Sequence, residues 1–204
     1  MVERRPGVAR DFSKPEPKPT VFVQYLDRNG KIRLDLGPTR HALMLDLDET
    51  ITEFYRSKKK TALRSDQGTE QYYIGNCRSA TQDFGRLLAK QTDEDNEAKF
   101  FDRHPGAKYY DFEKTKPTKG AFAQFDFHSI GFLQIPDPEH PQRQYFIVFD
   151  LTYNAVGVDK DTRTLIVHGN DQNTVMQELN KIYGGNKWEI YKLNPQKGTY
   201  EFTE

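Results

Sequence analysis

The chain has 204 residues, of which 35% are hydrophobic and 29% charged, and its 30 Lys and Arg balance 30 Asp and Glu to a formal net charge of zero. Its 14 Phe, 11 Tyr and one Trp argue against a disordered chain, the balanced charge argues against a uniformly basic nucleic-acid binder, and the single Cys77 excludes an internal disulfide or a multi-cysteine zinc site. Apolar runs as short as Phe146 to Phe149 leave no transmembrane helix, and MVERRPGVARDF has no apolar segment of a signal peptide, so a soluble intracellular protein, cytoplasmic or nuclear, is expected.

Residues 1–20 read as a basic, proline-rich, flexible arm, with Pro6, Pro15, Pro17 and Pro19 among Arg4, Arg5, Arg10, Lys14 and Lys18. Residues 21–204 read as a single domain. From Val21 the pattern has period two: VFVQYLD, a turn at Arg28-Asn29-Gly30, then KIRLDL with Ile32, Leu34 and Leu36 alternating with charge. Asn-Gly between alternating runs signals a hairpin. HALMLDLDETITEF follows Gly37-Pro38 with Leu43, Leu45, Leu47 and Ile51 at even spacing, which completes an expected three-stranded antiparallel meander.

Residues 56–78 are polar and read as irregular. Ser79 and Gln82 form a capping box for a helix over about 79–91, with Phe84, Leu87 and Leu88 as its apolar stripe. The acidic run Asp93, Glu94, Asp95, Glu97 reads as a solvated loop. Phe122, Phe125, Phe127, Phe132, Phe146 and Phe149 fall in strand-like runs, interrupted by the loop IPDPEHPQ. YFIVFDLTYNAVGV and TLIVHG read as a second hairpin. Asn173 is expected to cap a helix ending at Gly184-Gly185, and WEIYKL reads as the last strand. The fold class is therefore α+β, a single domain dominated by antiparallel sheet, with two helices.

Two constellations carry chemistry. Basic residues interleave with aromatics: Arg56, Lys58, Lys59, Lys60 and Arg64 after Phe54-Tyr55, and Tyr109, Tyr110, Lys114, Lys116 and Lys119. Single-strand binders pair a cationic groove with rings on which bases stack, and in a strand one ring of the Tyr109-Tyr110 doublet must face outward. This gives the primary reading, a non-catalytic binding or assembly module for nucleic acid or a protein partner, with homo-oligomer formation through the arm and no membrane partner. A protein-binding inhibitor or structural protein is a further alternative, in which the exposed aromatics meet protein.

The second constellation is ALMLDLDETIT, an apolar run into Asp-x-Asp-x-Thr, which resembles the first motif of the haloacid dehalogenase-like phosphohydrolases. The resemblance covers about 11 residues. It implies Asp46 as nucleophile, Asp48 as general acid/base, Thr50 as a stabiliser of the strand end, Ser129 as a second-motif residue, and Mg²⁺ held at Asp46 and Asp48. No lysine stands between Ser129 and the acidic Asp159 and Asp161. Cys77 has no activator nearby in sequence and reads as a structural thiol. The five histidines show no metal-ligand spacing, and Asp150 in VFDLT echoes Asp-x-Asp without its second carboxylate. No P-loop, Gly-x-Gly-x-x-Gly or serine nucleophile elbow occurs.

Overall fold

The structure is a computed structural model and describes residues 18–27, 34–62, 76–90, 100–119, 123, 126–137, 140–153 and 162–203. The strands are β1 (Val21–Asp27), β2 (Lys108–Thr115), β3 (Phe127–Pro136), β4 (Gln144–Asp150), β5 (Thr162–Gly169), β6 (Glu189–Asn194) and β7 (Thr199–Thr203). The helices are α1 (His41–Ala62), α2 (Cys77–Lys90), the single turn α3 (Phe100–Arg103) and α4 (Gln172–Tyr183). All seven strands form one sheet in the order β1-β5-β4-β3-β2-β6-β7, and every neighbouring pair is antiparallel. The α+β class and the sheet's antiparallel character are thus as expected, and no helix among the described residues is long and apolar enough to cross a membrane.

The period-two alternation of the strands builds two cores. Tyr109, Leu133, Ile135, Tyr145, Ile147 and Phe149 face α1 and α2, joining Leu43, Leu47, Ile51, Phe54, Phe84 and Leu88. Phe112, Ile130, Phe132, Phe146, Val148, Leu165 and Val167 face α4, joining Val175, Leu179 and Tyr183. A sheet covered on both faces needs apolar residues at successive positions, which is why Tyr145 to Phe149 is an unbroken apolar run.

The meander is corrected. His41 to Phe54 is not its third strand but the first part of α1, which runs on to Ala62, into the stretch from Arg56 that reads as irregular. Leu43, Leu47 and Ile51 are spaced by four, a distance that satisfies a two-residue and a 3.6-residue period alike. Leu45 separates them: it is 53% exposed, whereas Phe54, in register only for a helix, is 1% exposed. The second strand is corrected too. Leu34 and Leu36 are buried as the alternation requires, but residues 34–37 form no strand. The Gln24 side chain does the pairing, its amide donating to Asp35 C=O (2.6 Å) and accepting from Asp35 N–H (3.1 Å). β1 itself pairs with β5. The Asn29-Gly30 turn, the arm through residue 17, the acidic run, Phe122 and Phe125 lie outside the described residues.

Of the two expected helices, both exist with shifted starts, and α1 and α3 add to them. Ser79 sits inside the first turn of α2, since Ala80 N–H already bonds to Asn76 C=O (2.9 Å). Asp171, not Asn173, caps α4, its side chain accepting from Thr174 N–H (2.8 Å). The helix ends at Gly184, as expected. β4 and β5 form the expected hairpin pair. β6 is followed by one more strand, β7.

Two glycines let α2 settle on the sheet. A Cβ on Gly85 of α2 would lie 2.5 Å from Tyr109 Cε1, and one on Gly131 of β3 would lie 2.9 Å from Tyr109 Cζ. The Tyr109 ring fills the space between helix and sheet, and its hydroxyl donates to Thr81 C=O (2.9 Å). This close approach fixes where the N-terminus of α2 ends up.

Candidate active site

Cys77 is the first residue of α2, buried to 8% exposure. Ala80, Phe84 and Leu88 recur at helical spacing behind it and are fully buried. The first N–H groups of a helix have no intrahelical acceptor, and the helix dipole favours negative charge there, the setting in which cysteine thiols are activated.

Cys77 neighbours His128, near the start of β3, closely enough to favour the charged form of the imidazole. His128 alternates with Ile130 and Phe132 on the face toward α4. Its Nε2–H donates to Asp150 Oδ2 at 2.8 Å, at the end of β4. With Nε2 committed to Asp150, Nδ1 is the ring nitrogen left for the thiol. Asp150 is itself held firmly. The Tyr183 hydroxyl, at the end of α4, donates to the same Oδ2 (2.6 Å), and Thr152 donates to Oδ1 from its N–H (3.1 Å) and its hydroxyl (3.2 Å). Tyr183 also lies against the imidazole, with ring centroids 5.2 Å apart.

This environment sets the charges. Burial opposes a charge on His128, but the Asp150 carboxylate, its hydrogen bond and the neighbouring Cys77 outweigh it and raise the imidazole from its ordinary 6.5 to about 9. Burial, reinforced by the Asp150 charge, pushes the Tyr183 phenol well above its usual range, so it stays a donor. A cysteine, an imidazole and a buried carboxylate are thereby joined in sequence order Cys77, His128, Asp150. Groups of these three kinds can serve as nucleophile, base and orienting group in thiol-dependent acyl transfer.

In sequence Cys77 reads as a structural thiol, because His128 is 51 positions away (128 − 77). The usable signals were present: a cysteine opening an amphipathic helix, then a histidine beginning one strand and an aspartate ending the next.

The phosphohydrolase residues are not brought together. Asp46, on α1, accepts from His104 Nε2 (2.6 Å) and Arg103 Nε (3.2 Å). Asp48 accepts from Leu34 N–H (3.0 Å). Two positions apart on a helix, the two side chains point about 160° apart around its axis. Thr50 is buried and donates to Asp46 C=O (2.7 Å). Ser129 donates instead to Asp111 (2.6 Å), whose carboxyl is raised by burial. Among the described residues no group of three or more His, Cys, Asp and Glu gathers to hold a metal ion.

The basic and aromatic residues are also dispersed. Arg56 is exposed and pairs with Glu53 (2.6 Å). Lys58, Lys59 and Lys60 lie on the last turns of α1, and Arg64 is outside the described residues. Tyr109 is 1% exposed and offers no ring for stacking. Tyr110, the other ring of the doublet, is half-buried against Phe112 and Phe132. Lys114 is buried, while Lys116 and Lys119 are exposed.

At the other end of β4 and β5 an open cleft of about 620 Å³ is bordered by Gln24, Arg40, Tyr145 and His168. Burial, aided by Arg40, lowers His168 to about 4 and keeps it neutral. The Arg40 guanidinium lies over the Tyr145 ring (3.9 Å) and pairs with Asp137 (2.8 Å).

No family model, curated protein or solved structure matches this chain.

Proposed function

We propose that the protein is a thiol-dependent acyl-transfer enzyme, a hydrolase or transferase of amide or ester bonds, with Cys77 as nucleophile, His128 as general base and acid, and Asp150 as the group that orients the imidazole. The observation that carries this is the His128–Asp150 hydrogen bond (2.8 Å) beside Cys77, the first residue of a helix.

The chemistry follows from the arrangement. His128, already protonated, pairs with the thiolate form of Cys77, and that sulfur attacks the carbonyl carbon of the substrate. A C–S bond forms and the carbonyl oxygen becomes an oxyanion, for which the free N–H groups of the first turn of α2 are donors. Collapse breaks the bond to the leaving nitrogen or oxygen, which takes its proton from His128 Nδ1. A thioester on Cys77 remains. His128 then deprotonates water or an amine, which attacks the thioester, and Cys77 is released. Asp150 keeps the ring upright throughout, and Tyr183 and Thr152 keep Asp150 in place.

Thiol alkylation tests the reading without a known substrate. At pH 6 an ordinary thiol is roughly 0.3% ionised, given a pKa near 8.5. Cys77 should react with iodoacetamide at pH 6 many times faster than glutathione, measured by mass spectrometry, and His128→Ala should abolish that advantage. A wild-type Cys77 no faster than glutathione would reject the proposal. Turnover of p-nitrophenyl acetate that vanishes in Cys77→Ala would extend it to catalysis.

A further inference from the structure

The last turn of β2 carries two adjacent charges that the alternation of the strand sends to opposite faces. Glu113 faces α2 and pairs with Arg78. Lys114 faces α4, directly opposite His128 in the register of β2 and β3. Side chains so paired start about 4.5–5.5 Å apart at Cβ. Lys114 is 3% exposed, and its ammonium donates to Lys187 C=O (3.1 Å) and lies 4.8 Å from the centre of the Trp188 ring. The Gly184-Gly185 turn closes over it, so that a Cβ on Gly185 would lie 3.4 Å from Nζ. Trp188 meets Tyr183 edge-on at 5.8 Å, and Tyr183 meets His128 at 5.2 Å, so aromatic rings run from the ammonium to the imidazole.

No carboxylate pairs with Lys114 among the described residues. The part-buried Arg40 and the buried His128 do not share this: Arg40 has Asp137, and His128 has Asp150. An ammonium has three donors, and one is used. A buried charge is kept when something pairs with it, and burial already lowers the Lys114 pKa.

We infer that Lys114 is an anion-binding residue of the Cys77 site, which holds a carboxylate of the acyl substrate close to its reacting carbonyl. The inference rests on the acyl-transfer reading and adds the substrate class: acyl compounds with a negative charge near the scissile bond. Lys114 and Trp188 then act in binding, by charge and by an apolar wall, and Cys77, His128 and Asp150 in the chemistry.

Two alkylating probes of nearly equal size test this on the full chain. Iodoacetate and iodoacetamide both react by displacement: the Cys77 S–C bond forms, the C–I bond breaks and iodide leaves. They differ in one negative charge. The wild-type ratio of iodoacetate to iodoacetamide rates should exceed that of glutathione by about tenfold, the equivalent of about 1.4 kcal/mol, and should shrink as chloride is added. Lys114→Met and Lys114→Gln should bring the ratio down toward that of glutathione, whereas Lys114→Arg should retain most of it; circular dichroism verifies that each variant is folded. A wild-type ratio equal to that of glutathione, or a high ratio that survives in folded Lys114→Met or Lys114→Gln, overturns the assignment of Lys114. Fast iodoacetamide reaction with a flat ratio overturns that assignment alone. Slow reaction with both probes overturns the acyl-transfer reading and this inference with it.

Discussion

Asp150→Asn tests the network on which the site depends. Asp150 is 1% exposed and accepts four hydrogen bonds, from His128, Tyr183 and twice from Thr152. The amide replaces an acceptor by a donor and removes the counter-charge of a buried imidazolium. Breaking a buried pair by removing one partner costs about 3–5 kcal/mol. The pKa shift of His128 combines this interaction with burial, which opposes it, and with Cys77, which adds to it. A rise of His128 from 6.5 to about 9 corresponds to about 3 kcal/mol at 1.36 kcal/mol per pH unit. Because the folded value is raised, this stability is fully present below pH 6.5 and is lost as pH rises through about 9. Between those limits the folded protein binds a proton that the unfolded chain releases. Wild-type Tm should therefore fall by about 3–5 °C per pH unit in this window, from about 2–4 °C per kcal/mol at this chain length. In Asp150→Asn the overall Tm at pH 6 should be lower by roughly 6–20 °C, and this part of the slope should be gone. Thermal unfolding by circular dichroism from pH 6 to 9.5 provides both readings. Equal slopes in the two proteins would refute the idea that His128 is held charged by Asp150.

Gly131→Ala should cost about 1–3 kcal/mol in urea unfolding, because the new methyl must displace the Tyr109 ring that seats α2 on the sheet; a neutral result would mean the ring moves freely. Asp46→Asn should lose about 1 kcal/mol through its hydrogen bonds to Arg103 and His104 and leave the iodoacetamide reaction of Cys77 unchanged; Mg²⁺-dependent phosphatase activity lost in this variant would instead support Asp46 as a nucleophile.

The residues themselves determined most local structure. Unbroken apolar runs made β4 and the core of β5, the spacing of Val175, Leu179 and Tyr183 made α4, and Gly184 ended it. Strand alternation also determined that Glu113 and Lys114 would part to opposite faces. Where two periods coincide, sequence left a choice. Leu43, Leu47 and Ile51 suit either a strand or a helix, and only the sheet, whose β1 edge pairs with β5, leaves that segment to pack as α1. Leu34 and Leu36 show the same limit: alternation predicted their burial, but a side-chain amide rather than a neighbouring strand satisfies the backbone between them.

The candidate site belonged almost wholly to tertiary structure. Cys77, His128, Asp150 and Tyr183 come from α2, β3, β4 and α4, and no local spacing links them. Their meeting depends on the Gly85 and Gly131 contacts that set α2 down on the sheet, on the alternation that turns His128 and Asp150 to one face, and on the end of α4 arriving over them. Burial then gives the group its chemistry: in the low dielectric of the interior the Asp150 charge keeps the proton on His128 and on the Tyr183 phenol. The sequence specified which groups were available and which face each would take; folding alone decided which of them would touch.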